Sequence, residues 1–274
     1  MPMLHTLIVA WASRARHLIA AIGLIALSLT MPDLAWSQSA PTAFKQDHVH
    51  YMVPDPAKAA EWYARHMGGT LKAGRGASID YGKLVLRFSQ LDKPGASDGS
   101  VIDHLGFSFA DLPAKLAELQ AAGVKIVSPL RDAPGIFKLA FIEDPWGGKI
   151  ELVEDSAMLG LHHIHLRGPD PDALLGWVQQ TFGGEAVKMK ERIPAIKQGE
   201  VWVLALKSEQ ATQRSEGHVI DHLGYAVDDL EATLKALQAK GISAPPAQGD
   251  GAKFTIIESP LGIRVELIQW GERR

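Results

Sequence analysis

The chain contains itself twice. Val101–Gly123 reads VIDHLGFSFADLPAKLAELQAAG and Val219–Gly241 reads VIDHLGYAVDDLEATLKALQAKG, identical at 14 of 23 positions at an offset of 118. Upstream, HVHYMVPDP from His48 answers to HIHLRGPDP from His163, and Trp62 with Gly68-Gly69 answers to Trp177 with Gly183-Gly184, both at offset 115. Downstream, FIEDPWGGKIEL from Phe141 matches IIESPLGIRVEL from Ile256, again at 115. A duplication of this length dictates two similar supersecondary assemblies. It places the first copy at residues 44–155 and the second at 160–270.

Each copy divides again into two similar halves. His48–Val53 alternates as a strand until Pro54, and Asp55-Pro56 supplies a helix cap and a first-turn proline. The helix runs past Trp62 to a Gly-Gly stop, and Thr70–Ala73 and Lys83–Ser89 read as strands. The second half opens on the strand Ile102–Phe109. Asp111 then caps a helix carrying Leu112, Leu116 and Leu119, and Gly123 ends it. Strands over Val124–Val127, Phe137–Glu143 and Lys149–Val153 follow. The whole is α+β: four βαβββ units, two to each copy.

Alternation sends residues i and i+2 of a strand to one face. Val49, Tyr51 and Val53 form an apolar face, which leaves His48 and His50 on the other. The same reading puts His104 opposite Leu105 and Phe107, and Glu151 opposite Ile150 and Leu152. The second copy repeats this with His163, His222 and Glu266. Two imidazoles and a carboxylate on one sheet face suit a divalent ion such as iron, manganese, zinc or nickel, with open positions for a substrate. The chain has no cysteine, so His and carboxylate are its natural metal ligands. His50 and His165, one pleat away, read as general bases or as rim residues with internal hydrogen bonds. Arg167 stands where the first copy has Met52. It reads as an anchor for an anionic substrate, favouring turnover in the second copy, or as a partner of Asp170. Lys149 and Arg264, beside the glutamates, read as side chains reaching solvent. Gly106 and Gly224 leave room for a substrate or allow tight packing. Trp146 lines a pocket or covers the core.

With these motifs in place, the DHVHYMVPDP opening, the IDHLGFSFADL strand–helix junctions and the EDPWGGKIELVE ending resemble the vicinal-oxygen-chelate superfamily. That group includes glyoxalase I, extradiol dioxygenases, fosfomycin-resistance proteins and methylmalonyl-CoA epimerase. The resemblance covers about Phe44 to Trp270. It implies two tandem cups, one per copy, with metal ligands His48, His104 and Glu151 in the first and His163, His222 and Glu266 in the second. It further implies a metal-dependent enzyme that chelates neighbouring oxygens of a small oxygenated substrate, with isomerase or lyase chemistry. The alternatives are extradiol ring cleavage and bleomycin-resistance-like ligand binding. KLVLRFSQ and EVWVLALKSE lack the extra glutamate of glyoxalase I in the strand centre. Phe141 and Ile256 stand where extradiol dioxygenases carry a tyrosine.

A net charge of −3 and a pI near 6.4 argue against nucleic acid as a partner; the oligomeric state is left open. Arg14, Arg16 and His17 precede a largely apolar run from Leu18 to Leu29, shorter than the roughly 20 residues of a membrane span. Ala35 and Ser37 then fit a cleavage site before Gln38, so residues 1–37 read as a signal peptide and the mature chain as periplasmic or secreted, with no stable membrane span. An uncleaved membrane anchor is the competing reading. Mass spectrometry of the exported protein is expected to find a chain starting near Gln38. Recovery of the uncleaved chain from the cytoplasm would reject the leader.

Overall fold

The computed structural model describes residues 44–72 and 76–271 of the chain, so the proposed leader lies outside the described residues. The first copy contributes β1 (Lys45–Val53), α1 (Pro56–His66), β2 (Thr70–Leu71), β3 (Ser78–Asp80) and β4 (Val85–Gln90), then β5 (Ile102–Ser108), α2 (Leu112–Ala121), β6 (Lys125–Ala133), β7 (Phe137–Glu143) and β8 (Lys149–Val153). The second contributes β9 (Gly160–Gly168), α3 (Pro171–Phe182), β10 (Glu185–Met189), β11 (Ile193–Gln198) and β12 (Val201–Lys207), then β13 (Ile220–Ala226), α4 (Leu230–Ala239), β14 (Lys253–Glu258) and β15 (Arg264–Gln269). Every helix among the described residues starts the same way. Asp55, Asp111, Asp170 and Asp229 each accept a hydrogen bond from the backbone N–H three residues on, satisfying a donor the helix itself cannot. The last unit has two strands after its helix rather than three. Pro245 and Pro246 sit where the third would run, and proline offers no N–H to a ladder.

The strands form two sheets, ordered β14-β15-β13-β1-β4-β3-β2 and β10-β11-β12-β9-β5-β8-β7-β6. This overturns the expectation that each copy closes its own cup. β1 pairs antiparallel with β13, and β5 with β9. The first unit therefore shares a sheet with the fourth (the outer cup), and the second with the third (the inner cup). One connected core cluster takes Val49, Leu105, Leu161, Val203 and Leu267 from both copies. The connections explain the exchange. β8 lies on one side of β5, and a six-residue link, 154–159, delivers β9 to its other side. The segments after β4 and after β12 cross between the sheets side by side, bonded Gly95 N–H to Gly217 O and Val219 N–H to Gly95 O at 2.9 and 2.8 Å.

No helix among the described residues is long and apolar enough to cross a membrane. Because both first strands of a copy find their partners in the other copy, a fragment of residues 44–155 alone leaves β1 and β5 as bare edges. Size-exclusion chromatography of that fragment is expected to show dimers or larger species. A stable, cooperatively folded monomer would contradict the exchanged pairing.

Candidate metal centres

The exchange regroups the ligand candidates. His48, His50, His222 and Glu266 converge in the outer cup, and His104, Glu151, His163 and His165 in the inner one, each with four ligand atoms within 4.8 Å of one another. The triads expected within single copies, His48 with His104 and Glu151, and His163 with His222 and Glu266, do not form. His50 and His165, read from sequence as bases or rim residues, stand inside the clusters.

A shared distortion sets the ligands. In the β1–β13 ladder Asp47 and Asp221 are skipped by the register, and in the β5–β9 ladder Asp103 and His162 are. Each is a bulge one residue before a ligand histidine. A bulge inserts an unpaired residue, re-aims its neighbours and breaks strict alternation, so consecutive side chains meet. Asp47, Asp103 and Asp221 accept from His48, His104 and His222 at Nδ1 over 2.7, 2.6 and 2.6 Å. That bond fixes the tautomer and turns the Nε2 lone pair inward, as carboxylates behind metal-bound histidines do. The carboxylates are themselves held by cations: Asp47 by Arg87 at 3.5 Å, Asp103 by Lys149 at 2.9 Å, Asp221 by Arg264 at 2.8 Å. Lys149 and Arg264 thus turn to these aspartates rather than simply reaching solvent.

The fourth position breaks the pattern. His163 Nδ1 lies 2.9 Å from Nδ1 of His162, whose Nε2 is 3.5 Å from Asp155, itself paired with Lys190 at 2.8 Å. If His162 donates to Asp155, it accepts from His163, and His163 again points Nε2 inward. Alternation missed all four of these residues. The recurring Asp-His dipeptide was the available signal.

Two glycines make room for the ligands. A Cβ on Gly224 would stand 2.2 Å from the His48 ring and one on Gly106 2.0 Å from the His163 ring, so tight packing accounts for both. Arg167 does not enter a cup as an anion anchor: it bonds Asp103 at 3.2 Å and Asp98 at 3.4 Å, while Asp170 caps α3. Trp146 packs edge-on to Trp62 at 6.2 Å against the core.

The cups differ in how far they satisfy themselves. In the inner cup Glu151 Oε2 lies 3.1 Å from His104 Nε2 and 3.0 Å from His163 Nε2. Burial pushes its carboxyl up, but the imidazoles of His104, His163 and His165 outweigh it and hold Glu151 well below the usual range. In the outer cup Glu266 is 3.3 Å from His222 and 3.8 Å from His48. His48 Nε2, His50 Nδ1 and His222 Nε2 are buried there without a hydrogen bond, as is His165 Nε2 in the inner cup. Burial, then the charges of His222 and His48, push His50 down to about 2. Burial and His104 likewise push His165 down to about 3. For His104 and His222 burial acts downward too, but the flanking carboxylates prevail and raise them. Imidazole nitrogens and one carboxylate oxygen gathered within 4.8 Å, once His104 and His222 give up the proton they hold more tightly than usual, are a donor set that fits a divalent ion.

A family model described as the glyoxalase/bleomycin resistance protein/dioxygenase superfamily matches residues 45–152 and again 160–267. The chain belongs to this superfamily. Among solved structures it is similar to glyoxalase I from Zea mays, at 18% identity and a TM-score of 0.66, covering 83% of this chain and 92% of that one. It is also similar to a Bacillus subtilis protein provisionally described as a dioxygenase, at 13% identity and a TM-score of 0.60, covering 83% and 86%. At such identities the likeness speaks for the fold. No curated protein matches the sequence.

Gly224→Ala and Gly106→Ala are each expected to force a ligand imidazole aside, destabilising the chain by about 1–3 kcal/mol as overpacking does. Each should also weaken divalent-metal binding in one cup only. Metal titration of both variants checks this; unchanged affinity in both would show that the imidazoles are not held by these contacts.

Proposed function

We propose that this superfamily member is an exported, divalent-metal-dependent enzyme acting on small substrates with two neighbouring oxygens, by isomerase or lyase chemistry. The observation that carries the reading is the outer cup's three buried imidazole nitrogens, which converge beside Glu266 without a hydrogen bond. A buried polar atom without a partner costs about 1–3 kcal/mol, and three aimed at one point are accounted for together by a ligand that accepts lone pairs. His48, His222 and Glu266 would hold the ion, as would His104, His163 and Glu151 in the other cup. Bound there, a divalent ion supplies Lewis-acid charge to the substrate's neighbouring oxygens.

The chain's own part is positional. Asp47 and Asp221 keep His48 and His222 in the tautomer that faces inward. The Ser89 hydroxyl stands 2.7 Å from His50 Nε2 and leaves Nδ1 of that ring turned to the cup. A ring this reluctant to protonate suits lone-pair donation better than proton transfer, so His50 and His165 are read as fourth donors rather than bases. Phe141 and Ile256, apolar where ring-cleaving relatives carry a tyrosine, favour isomerase or lyase chemistry over ring cleavage.

Metal analysis of the mature protein, combined with oxygen uptake on catechols, tests the reading. Stoichiometric metal without oxygen uptake is expected. Uptake would move the assignment to ring cleavage, and no metal to a ligand-binding protein. Affinity should also fall as pH drops. His104 and His222 hold a proton more tightly than an ordinary imidazole, and the ion must displace it. Titration at pH 6 and pH 8 should release more protons and bind more weakly at the lower value; pH-independent affinity would contradict ligation by these rings.

A further inference from the structure

The two cups carry opposite chemistry on one wall. β4 lies on β1 with Arg87 level with His50, and β12 lies on β9 with Leu204 level with His165. Arg87 and Leu204 thus hold equivalent places. Their next neighbours across the ladder are Ser78 and Ala195. Beyond these come Lys72, whose N–H bonds Ser78 O at 3.0 Å, and Val187, level with Ala195. The outer cup therefore has Arg87, Ser78 and Lys72 where the inner has Leu204, Ala195 and Val187.

The inner wall is filled by its own side chains. Leu204, Ala195 and Met189 pack with Phe137, Leu139 and Val153 of β7 and β8 in one buried cluster, each less than a tenth exposed, and Val187 packs against them. That cup closes on apolar contacts, and its glutamate already lies against two imidazoles. This leaves His165 Nε2 alone among its four candidate ligands without a hydrogen bond, against three in the outer cup. The outer wall keeps unmet polar groups. Ser78 is 2% exposed and its hydroxyl has no partner, like the nitrogens of His48, His50 and His222. Beside His50, the Arg87 guanidinium is held 3.5 Å from Asp47 and 4.6 Å from the centre of the Trp270 ring, with its side chain 19% exposed.

We propose that the outer cup alone takes ligand, and that this ligand is a small, oxygen-rich anion with a carboxylate next to its chelating oxygens. The inner cup, its wall filled by apolar side chains, is closed to that ligand. The inference rests on the metal reading above and adds to it a location and a substrate class. Arg87 supplies the charge-assisted contact to the anion, Ser78 a hydroxyl donor, and the histidines the site to which the oxygens are drawn. This moves turnover away from the cup built on β9, the strand that carries His163, His165 and Arg167. The choice is physical: an anion entering the inner cup would displace an apolar cluster and find leucine in place of arginine.

Oxalate, a minimal vicinal-oxygen dianion, is the probe. Calorimetric titration into the Zn2+-loaded mature protein is expected to show one oxalate per chain, lost in Glu266→Ala and kept in Glu151→Ala. Arg87→Leu should weaken binding about 10- to 100-fold, the range for a lost charge-assisted contact, and Arg87→Lys should restore part of it. Arg87→Gln replaces the leucine variant if that chain does not fold. Loss in Glu151→Ala with retention in Glu266→Ala, or an affinity indifferent to Arg87, would overturn the inference and leave the metal reading standing. If Zn2+ alone binds neither cup, the metal reading falls instead. Oxalate titrated into metal-free wild type and Arg87→Leu then decides whether the outer wall takes an anion.

Discussion

Two antiparallel ladders, β1 with β13 and β5 with β9, hold the arrangement together. Each joins the opening strand of one unit to that of another and carries two bulges, one on each strand. The ladder decides which units share a cup. Its bulges decide which way the histidines and the aspartates behind them face. Removing a bulge would shift the register by one residue and exchange the two faces of the strand, sending Val49 or Leu105 into the cup and His48 or His104 into the core. Ligand placement, packing face and unit pairing are thus one constraint.

Much of this is legible in the sequence. Alternation along HVHYMV and IDHLGF separates the apolar faces from the ligand faces, and Val49, Tyr51, Leu105 and Phe107 are fully buried as that pattern requires. The Asp-Pro and Asp-Leu junctions mark the helix starts. What alternation does not carry is the partner of each opening strand. The second and fourth units both begin VIDHLG, so β1 meets the same side chains on either, and only the length and course of the connections choose between them. For the same reason the ligands could be identified one at a time but not grouped correctly. The aspartates escaped because alternation assumes an unbroken ladder, and Asp47 and His48 violate it.

The copies have diverged unequally. The opening strands and the last strands retain the histidines and glutamates in both cups. Behind them three histidines rest on a carboxylate, while His163 rests on His162, which hands the load to Asp155 in the link between the copies. That link therefore does more than connect: it supplies the charge that the bulge position lacks. The walls differ in character, Lys72, Ser78 and Arg87 in one standing where the other has Val187, Ala195 and Leu204.

The wall is also separable from the metal ligands along the chain. Every residue that makes the outer wall polar falls between Thr70 and Gln90, whereas the ligands of that cup lie at 48, 50, 222 and 266. The proposed selectivity is written in one short stretch of sequence and the candidate metal ligands at four separate positions. A lineage, or an experimenter, could replace that stretch wholesale and retune what enters the cup while the opening-strand ladder and its histidines stay as they are. The second copy carries its own such stretch, and its Val187, Ala195 and Leu204 show that the same ladder accepts an apolar wall as readily as a polar one.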